Sequence, residues 1–140
     1  MKHRVVLDTN ALVASFSKGS PTNAIWRGLL EGKYMLCVSN DILCEYQEII
    51  AQKTTPLIAE NVINYLLNSR YVEMITTYYH FELITADRDD NKFVDCAIAA
   101  NAAFIVSDDK HFLPLRQIAF PRLLVIKMIE FVNILNNIQC

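Results

Sequence analysis

The chain has 140 residues, 53% of them hydrophobic and 20% charged, with a formal net charge of −2. That length suits one domain over residues 1–140 with a core that needs no staples, and the balance excludes both a disordered chain and the broad basic footprint of a general nucleic-acid binder. No apolar run approaches a membrane span, and the start Met1-Lys2-His3-Arg4 leads straight into a strand pattern with no leader-like apolar region, so a cytoplasmic protein is expected.

Val5-Val6-Leu7 reads as a buried strand over residues 4–7 that stops on Asp8-Thr9-Asn10. A short helix is expected over 11–16, then a polar loop with Gly19 and Pro21. Thr22 or Asn23 caps a second helix running to about residue 31, with Gly32 as its stop. Residues 34–38 form a second strand, and Ser39 caps a long helix through residue 53. Pro56 marks a break before helical spacing at Val62, Ile63, Leu66 and Leu67. Residues 72–77 are a third strand, 78–83 are ambiguous, and 85–91 are a polar loop. A small apolar helix over 93–101 leads to a fourth strand over 103–106, which ends on Ser107-Asp108-Asp109. Residues 123–126 and 129–135 are the fifth strand and a closing helix. Short apolar strands alternating with helices imply a three-layer α/β/α sandwich around a mainly parallel five-stranded sheet. Cys37, Cys44, Cys96 and Cys140 match no metal or redox spacing; three fall in expected core elements, so free thiols are expected.

Acids recur where such a fold binds ligands, at the carboxyl edge of the sheet. Asp8 ends the first strand and Asp109, beside Asp108, follows the fourth. Asp95 and Glu45 lie within apolar helical segments, where an inward, unpaired carboxylate is costly. Each also has an ordinary reading: a helix cap for Asp8, a turn for Asp108 and Asp109, dipole compensation for Asp95, an exposed acid for Glu45. Glu48, one turn beyond Glu45, competes with it. Asp89 and Asp90 read as loop acids, Asp90 as a helix cap, and His111 as a surface residue. If the four acids converge, repulsion raises their pKa values unless cations bind, and an all-oxygen set suits Mg²⁺ or Mn²⁺, not zinc. An ion in such a cage can activate water for phosphodiester cleavage.

Val6-Leu7-Asp8-Thr9-Asn10, a lone Glu45, Asp89-Asp90-Asn91-Lys92-Phe93-Val94-Asp95-Cys96-Ala97 and Ile105-Val106-Ser107-Asp108-Asp109-Lys110-His111-Phe112, in that order, resemble a PIN-domain ribonuclease. More narrowly, they resemble the VapC-related toxins of bacterial toxin–antitoxin systems. The resemblance runs from Val5 to about Ile126. It implies a parallel five-stranded sheet, RNA as substrate, Mg²⁺ or Mn²⁺ as cofactor, and Asp8, Glu45, Asp95 and Asp109 as metal-binding acids. Thr9 and Ser107 match hydroxyls that steady the acids, and Asn10 accompanies Asp8. Ser107 stands where the family usually has Thr. Asp108 adds a neighbouring acid; side chains alternate along an extended segment, which favours Asp109 as the inward one.

RNA contacts are expected from Lys18, Arg88, Lys92, Lys110 and Arg116, each of which also reads as a solvated charge. A homodimer and a small antitoxin partner follow from the resemblance. Ile25, Trp26, Leu29, Leu30, Ile63, Leu66 and Leu67 offer apolar surface for such contacts, although most of them also read as core. Two other classes compete. A phospho-aspartate phosphatase of the haloacid dehalogenase type needs a second Asp two residues after Asp8, where this chain has Asn10. A catalytically inactive PIN-like interaction module would bind no metal.

Overall fold

The structure, a computed structural model, describes residues 2–77, 82, 84, 90–112 and 123–138. The elements in order are β1 (Arg4–Leu7), α1 (Thr9–Ala14), α2 (Asn23–Leu30), β2 (Met35–Val38), α3 (Asn40–Lys53), α4 (Pro56–Asn68), β3 (Val72–Met74), α5 (Asn91–Ala100), β4 (Phe104–Val106), β5 (Val125–Ile126) and α6 (Met128–Asn136). Five strands form one sheet in the order β3-β2-β1-β4-β5, with every neighbouring pair parallel. The expected α/β class and parallel sheet are therefore observed.

The strands are apolar because helices cover them. Val5, Val6 and Leu7 of β1, Leu36, Cys37 and Val38 of β2, and Ile105 and Val106 of β4 are all completely buried, with no alternation of inside and outside. That pattern belongs to a parallel sheet packed on both faces. The β1 side chains lie next to those of β4 through the pairs Val5–Phe104, Val6–Ile105 and Leu7–Val106.

Several boundaries follow from identifiable chemistry. The Oδ1 of Asp8 accepts the Ala11 N–H at 2.7 Å, so α1 begins at Thr9, two residues before the expected start. At the end of α2, Gly32 has φ +74, the Lys33 N–H donates to the Gly28 carbonyl at 2.8 Å, and the Gly32 N–H donates to that of Leu29 at 3.1 Å. This is the Schellman arrangement. A Cβ at Gly32 would also lie 2.5 Å from the Tyr71 ring. Ser39 caps α3 through the Ile42 N–H, as its sequence position predicts. Pro56 does not separate elements from within a loop; it is the first residue of α4, where its missing N–H costs nothing, so the break it marks is the start of that helix. β3 stops at Met74, short of the expected residue 77.

Cys37 and Cys96 are buried free thiols, whereas Cys44, expected in the core, is exposed on α3 and also free. Of the apolar residues considered for partner contacts, Ile25, Leu29 and Leu66 are core, while Leu30 and Leu67 are exposed. Among the described residues, no helix is long and apolar enough to cross a membrane. Most of segment 78–83 and the loop 85–89 lie outside the described residues.

Candidate active site

Strand order reverses between β1 and β4. The chain lays down β1, β2 and β3 outward in one direction, then returns to place β4 on the other flank of β1. Ligands in open α/β sheets bind at the carboxyl end of such a switch point. Because Leu7 and Val106 are partners, the next residues, Asp8 and Ser107, leave the sheet side by side. The Ser107 hydroxyl donates to Asp8 Oδ2, and its oxygen accepts the Asp109 N–H at 3.0 Å. One serine thus joins the ends of both strands and orients the backbone of a second acid.

Asp8 is 5% exposed. Burial pushes its carboxyl from 3.8 to about 6; hydrogen bonds from Ser107 and Ala11 oppose the rise, and the nearby charges of Asp90 and Asp109 add to it. Asp90 is the residue that sequence reasoning missed. It holds the N-cap position of α5, as expected, but its side chain makes no cap hydrogen bond. Its Oδ2 lies 3.5 Å from His111 Nδ1, which is 3.4 Å from Asp109 Oδ1. One ligand atom from each of Asp90, Asp109 and His111 falls within 4.8 Å of the others. His111 is therefore half-buried beside two acids and is not a surface histidine. Its Nδ1 is buried without a hydrogen-bond partner. The chain alone gave no signal for this, because a cap accounts fully for an Asp in front of a helix.

Asp108 and Asp109 point different ways. Asp108 is exposed and its Oδ1 accepts the Met128 N–H at 2.9 Å, satisfying the first turn of α6. Asp109 turns to His111, whose N–H it accepts at 2.9 Å.

The helix α3 reaches the same edge through adjacent residues. Tyr46, completely buried, donates its hydroxyl to the Leu7 carbonyl at 2.6 Å, pinning α3 to the last residue of β1. Glu45 Oε2 accepts the Thr9 hydroxyl, and Glu45 Oε1 pairs with Lys92 Nζ at 2.7 Å. Glu48, its competitor, is exposed. Asp95 is 4% exposed on α5, three residues after Lys92 and so on the same helix face. Asn91, also buried, exchanges two hydrogen bonds with the backbone of Ile84, at 2.8 and 2.9 Å, and fixes the entry to α5.

The expected RNA-contacting cations divide. Lys92 is engaged with Glu45 inside the cluster, so it is not a loop cation awaiting a ligand. Lys110 is exposed next to Asp109. Lys18 is exposed and lines an apolar groove with Phe16, Trp26, Leu30, Ile58 and Val62. Arg88 and Arg116 lie outside the described residues. Asn10 is exposed on α1.

The donor set fits a hard divalent cation. It offers carboxylates and hydroxyls, and burial with the nearby charges of Asp90 and Asp109 disfavours the charged form of Asp8, a cost that a bound cation would offset. A histidine does join the acids, contrary to expectation, but the set stays dominated by oxygen.

The family model that matches the chain is that of the PIN domain, over residues 4–111. No curated protein matches. Among solved structures, the chain is similar to a chain in the crystal structure of VapBC2 from Rickettsia felis bound to a DNA fragment from their promoter. That likeness has a TM-score of 0.61 and 20% identity, covers 89% of this chain and 98% of the other, and at that identity concerns the fold.

Proposed function

The chain belongs to the PIN domain family, and from that premise we propose that it is a metal-dependent endoribonuclease and the toxin of a toxin–antitoxin pair. The observation that carries this reading is the convergence on one sheet edge of Asp8, Asp90 and Asp109, close enough that the latter two raise the carboxyl of the first. A protein gains nothing in stability from three such acids; a bound cation removes the repulsion.

Asp8 and Asp109 would hold a Mg²⁺ or Mn²⁺ ion, with Asp90 beside them and Glu45 and Asp95 completing the acidic wall. Bound there, the ion supplies Lewis-acid polarisation of a phosphodiester and activation of water. The chain's own residues set the stage for it. Ser107 and the Ala11 N–H fix both oxygens of Asp8. Thr9 and Tyr46 hold α3 so that Glu45 faces the same edge. Lys110, exposed beside Asp109, would meet a phosphate of single-stranded or structured RNA.

An antitoxin and a second copy of the chain are proposed as protein partners. The groove of Phe16, Trp26, Leu30, Ile58 and Val62, with Lys18 and Arg27 among its lining, supports the first. Exposed Leu57, Leu67 and Ile129 support further apolar contact. A cytoplasmic location fits an RNA substrate.

The test is cleavage of RNA in Mg²⁺ or Mn²⁺ by the wild type and by Asp8→Asn. Cleavage by the wild type alone is expected; equal cleavage by both overturns the assignment.

A further inference from the structure

Lys92 is a lysine built into the acidic cluster. Its Nζ sits 2.7 Å from Glu45 Oε1, and the two side chains are only 19% and 22% exposed. The other Glu45 oxygen accepts the Thr9 hydroxyl, so both oxygens of this carboxylate are engaged. Asp95 follows Lys92 on the same face of α5 and is buried. The cluster is therefore uneven. At one end, Asp90 and Asp109 flank His111 and their charges bear on Asp8. At the other, Glu45 is already neutralised by an ammonium.

Nucleases that use two metal ions place them roughly 3.5–4 Å apart and surround both with carboxylates. A second dication at the Glu45 end would have to displace Lys92 and break a close, half-buried ion pair. Mg²⁺ and Mn²⁺ also give up water reluctantly and bind through few protein oxygens, so the Asp8–Asp90–Asp109 end alone suffices for one ion. We propose that Lys92 serves as the resident second cation of the site, through its ion pair with Glu45, and so limits the protein to one divalent ion. This rests on the reading of the acids as a metal site. Lys92 arrives on α5 directly after Asn91, whose paired hydrogen bonds to Ile84 fix where that helix begins. Its position is thus set by the fold and not by a mobile loop.

The test is calorimetric titration of the full chain with Mn²⁺ alone, for wild type, Lys92→Gln and Lys92→Arg. One ion per chain is expected for the wild type and for Lys92→Arg, which keeps the charge. Two are expected for Lys92→Gln, which leaves Glu45 without a counter-charge. Two ions in the wild type, or one in Lys92→Gln, overturn the inference and leave the metal site standing. No saturable binding to the wild type overturns the metal site itself, and the role of Lys92 with it. Electron paramagnetic resonance of the Mn²⁺-saturated wild type keeps the test open if Lys92→Gln does not fold. A spectrum of isolated ions supports the inference, and one of an exchange-coupled pair overturns it.

Discussion

The Ser107 hydroxyl bridges β4 to β1 by donating to Asp8 Oδ2 while accepting the Asp109 N–H. A single small side chain thus orients two acids from different strands. Removing it leaves a buried carboxylate one donor short, which costs about 1–3 kcal/mol. Ser107→Ala is expected to unfold at lower denaturant and to bind Mn²⁺ more weakly, whereas Ser107→Thr keeps the hydroxyl and stays near wild type. Equal behaviour of the Ala and Thr variants in urea unfolding and Mn²⁺ titration would show that the bridge does not matter.

The raised Asp8 carboxyl makes stability depend on pH with an unusual sign for an aspartate. Its value is 3.8 unperturbed and about 6 in the fold, so the folded state binds more protons in between. Without divalent ions, stability falls as pH rises from about 4 to somewhat above 6, then levels, with a total loss on the order of 3 kcal/mol. Asp8→Asn removes the ionisation. In chelator it is expected to melt higher than wild type at about pH 8 and to show no advantage near pH 4. Mn²⁺ should reverse the order at the higher pH by stabilising only the wild type. A lower melting point for Asp8→Asn in chelator at the higher pH would contradict this account.

Much of this architecture is legible in the chain because its causes are local. Ser39, Gly32 and the run Val5-Val6-Leu7 each fix a boundary through their own backbone chemistry. Asp8 reads as either a cap or a site residue; Oδ1 caps α1 and leaves Oδ2 to meet Ser107, so the cap does not use up the carboxylate. Asp90 and His111 are not legible, since their approach to Asp109 depends on how α5 docks against the β4 edge. The partner of Lys92 is hidden for the same reason. In sequence Lys92 is one more loop-edge cation; only the approach of α3 to α5 supplies Glu45 as its partner.

Asp108 and Asp109 should separate cleanly in function. Asp108 serves α6 by accepting the Met128 N–H, and Asp109 faces His111 and Asp90. Asp108→Ala is expected to lose about 1 kcal/mol of stability, as for a lost helix-terminus acceptor, and to keep Mn²⁺ affinity. Asp109→Ala is expected to lose Mn²⁺ binding by tenfold or more, roughly the effect of one lost carboxylate ligand. Urea unfolding and Mn²⁺ titration of both variants check the division; the reverse pattern would assign the metal-facing role to Asp108.

Tyr46 ties α3 to the strand end that leads into Asp8. Its hydroxyl donates to the Leu7 carbonyl at 2.6 Å, one residue before Asp8, and it neighbours Glu45 on α3. Tyr46→Phe keeps the buried ring and removes only this bond, at a cost of about 1–3 kcal/mol for a buried carbonyl that loses a donor. Burial holds the phenol far above its ordinary pKa, so it stays protonated throughout the working range. The loss of stability is therefore expected to be the same at low and neutral pH, unlike that of Asp8→Asn. Mn²⁺ affinity should fall less than in Asp109→Ala, because α3 loosens without losing a carboxylate. Urea unfolding of Tyr46→Phe at two pH values, with parallel Mn²⁺ titrations, distinguishes this from a direct role. A drop in affinity as large as that of Asp109→Ala would mean that the hydroxyl itself acts at the site.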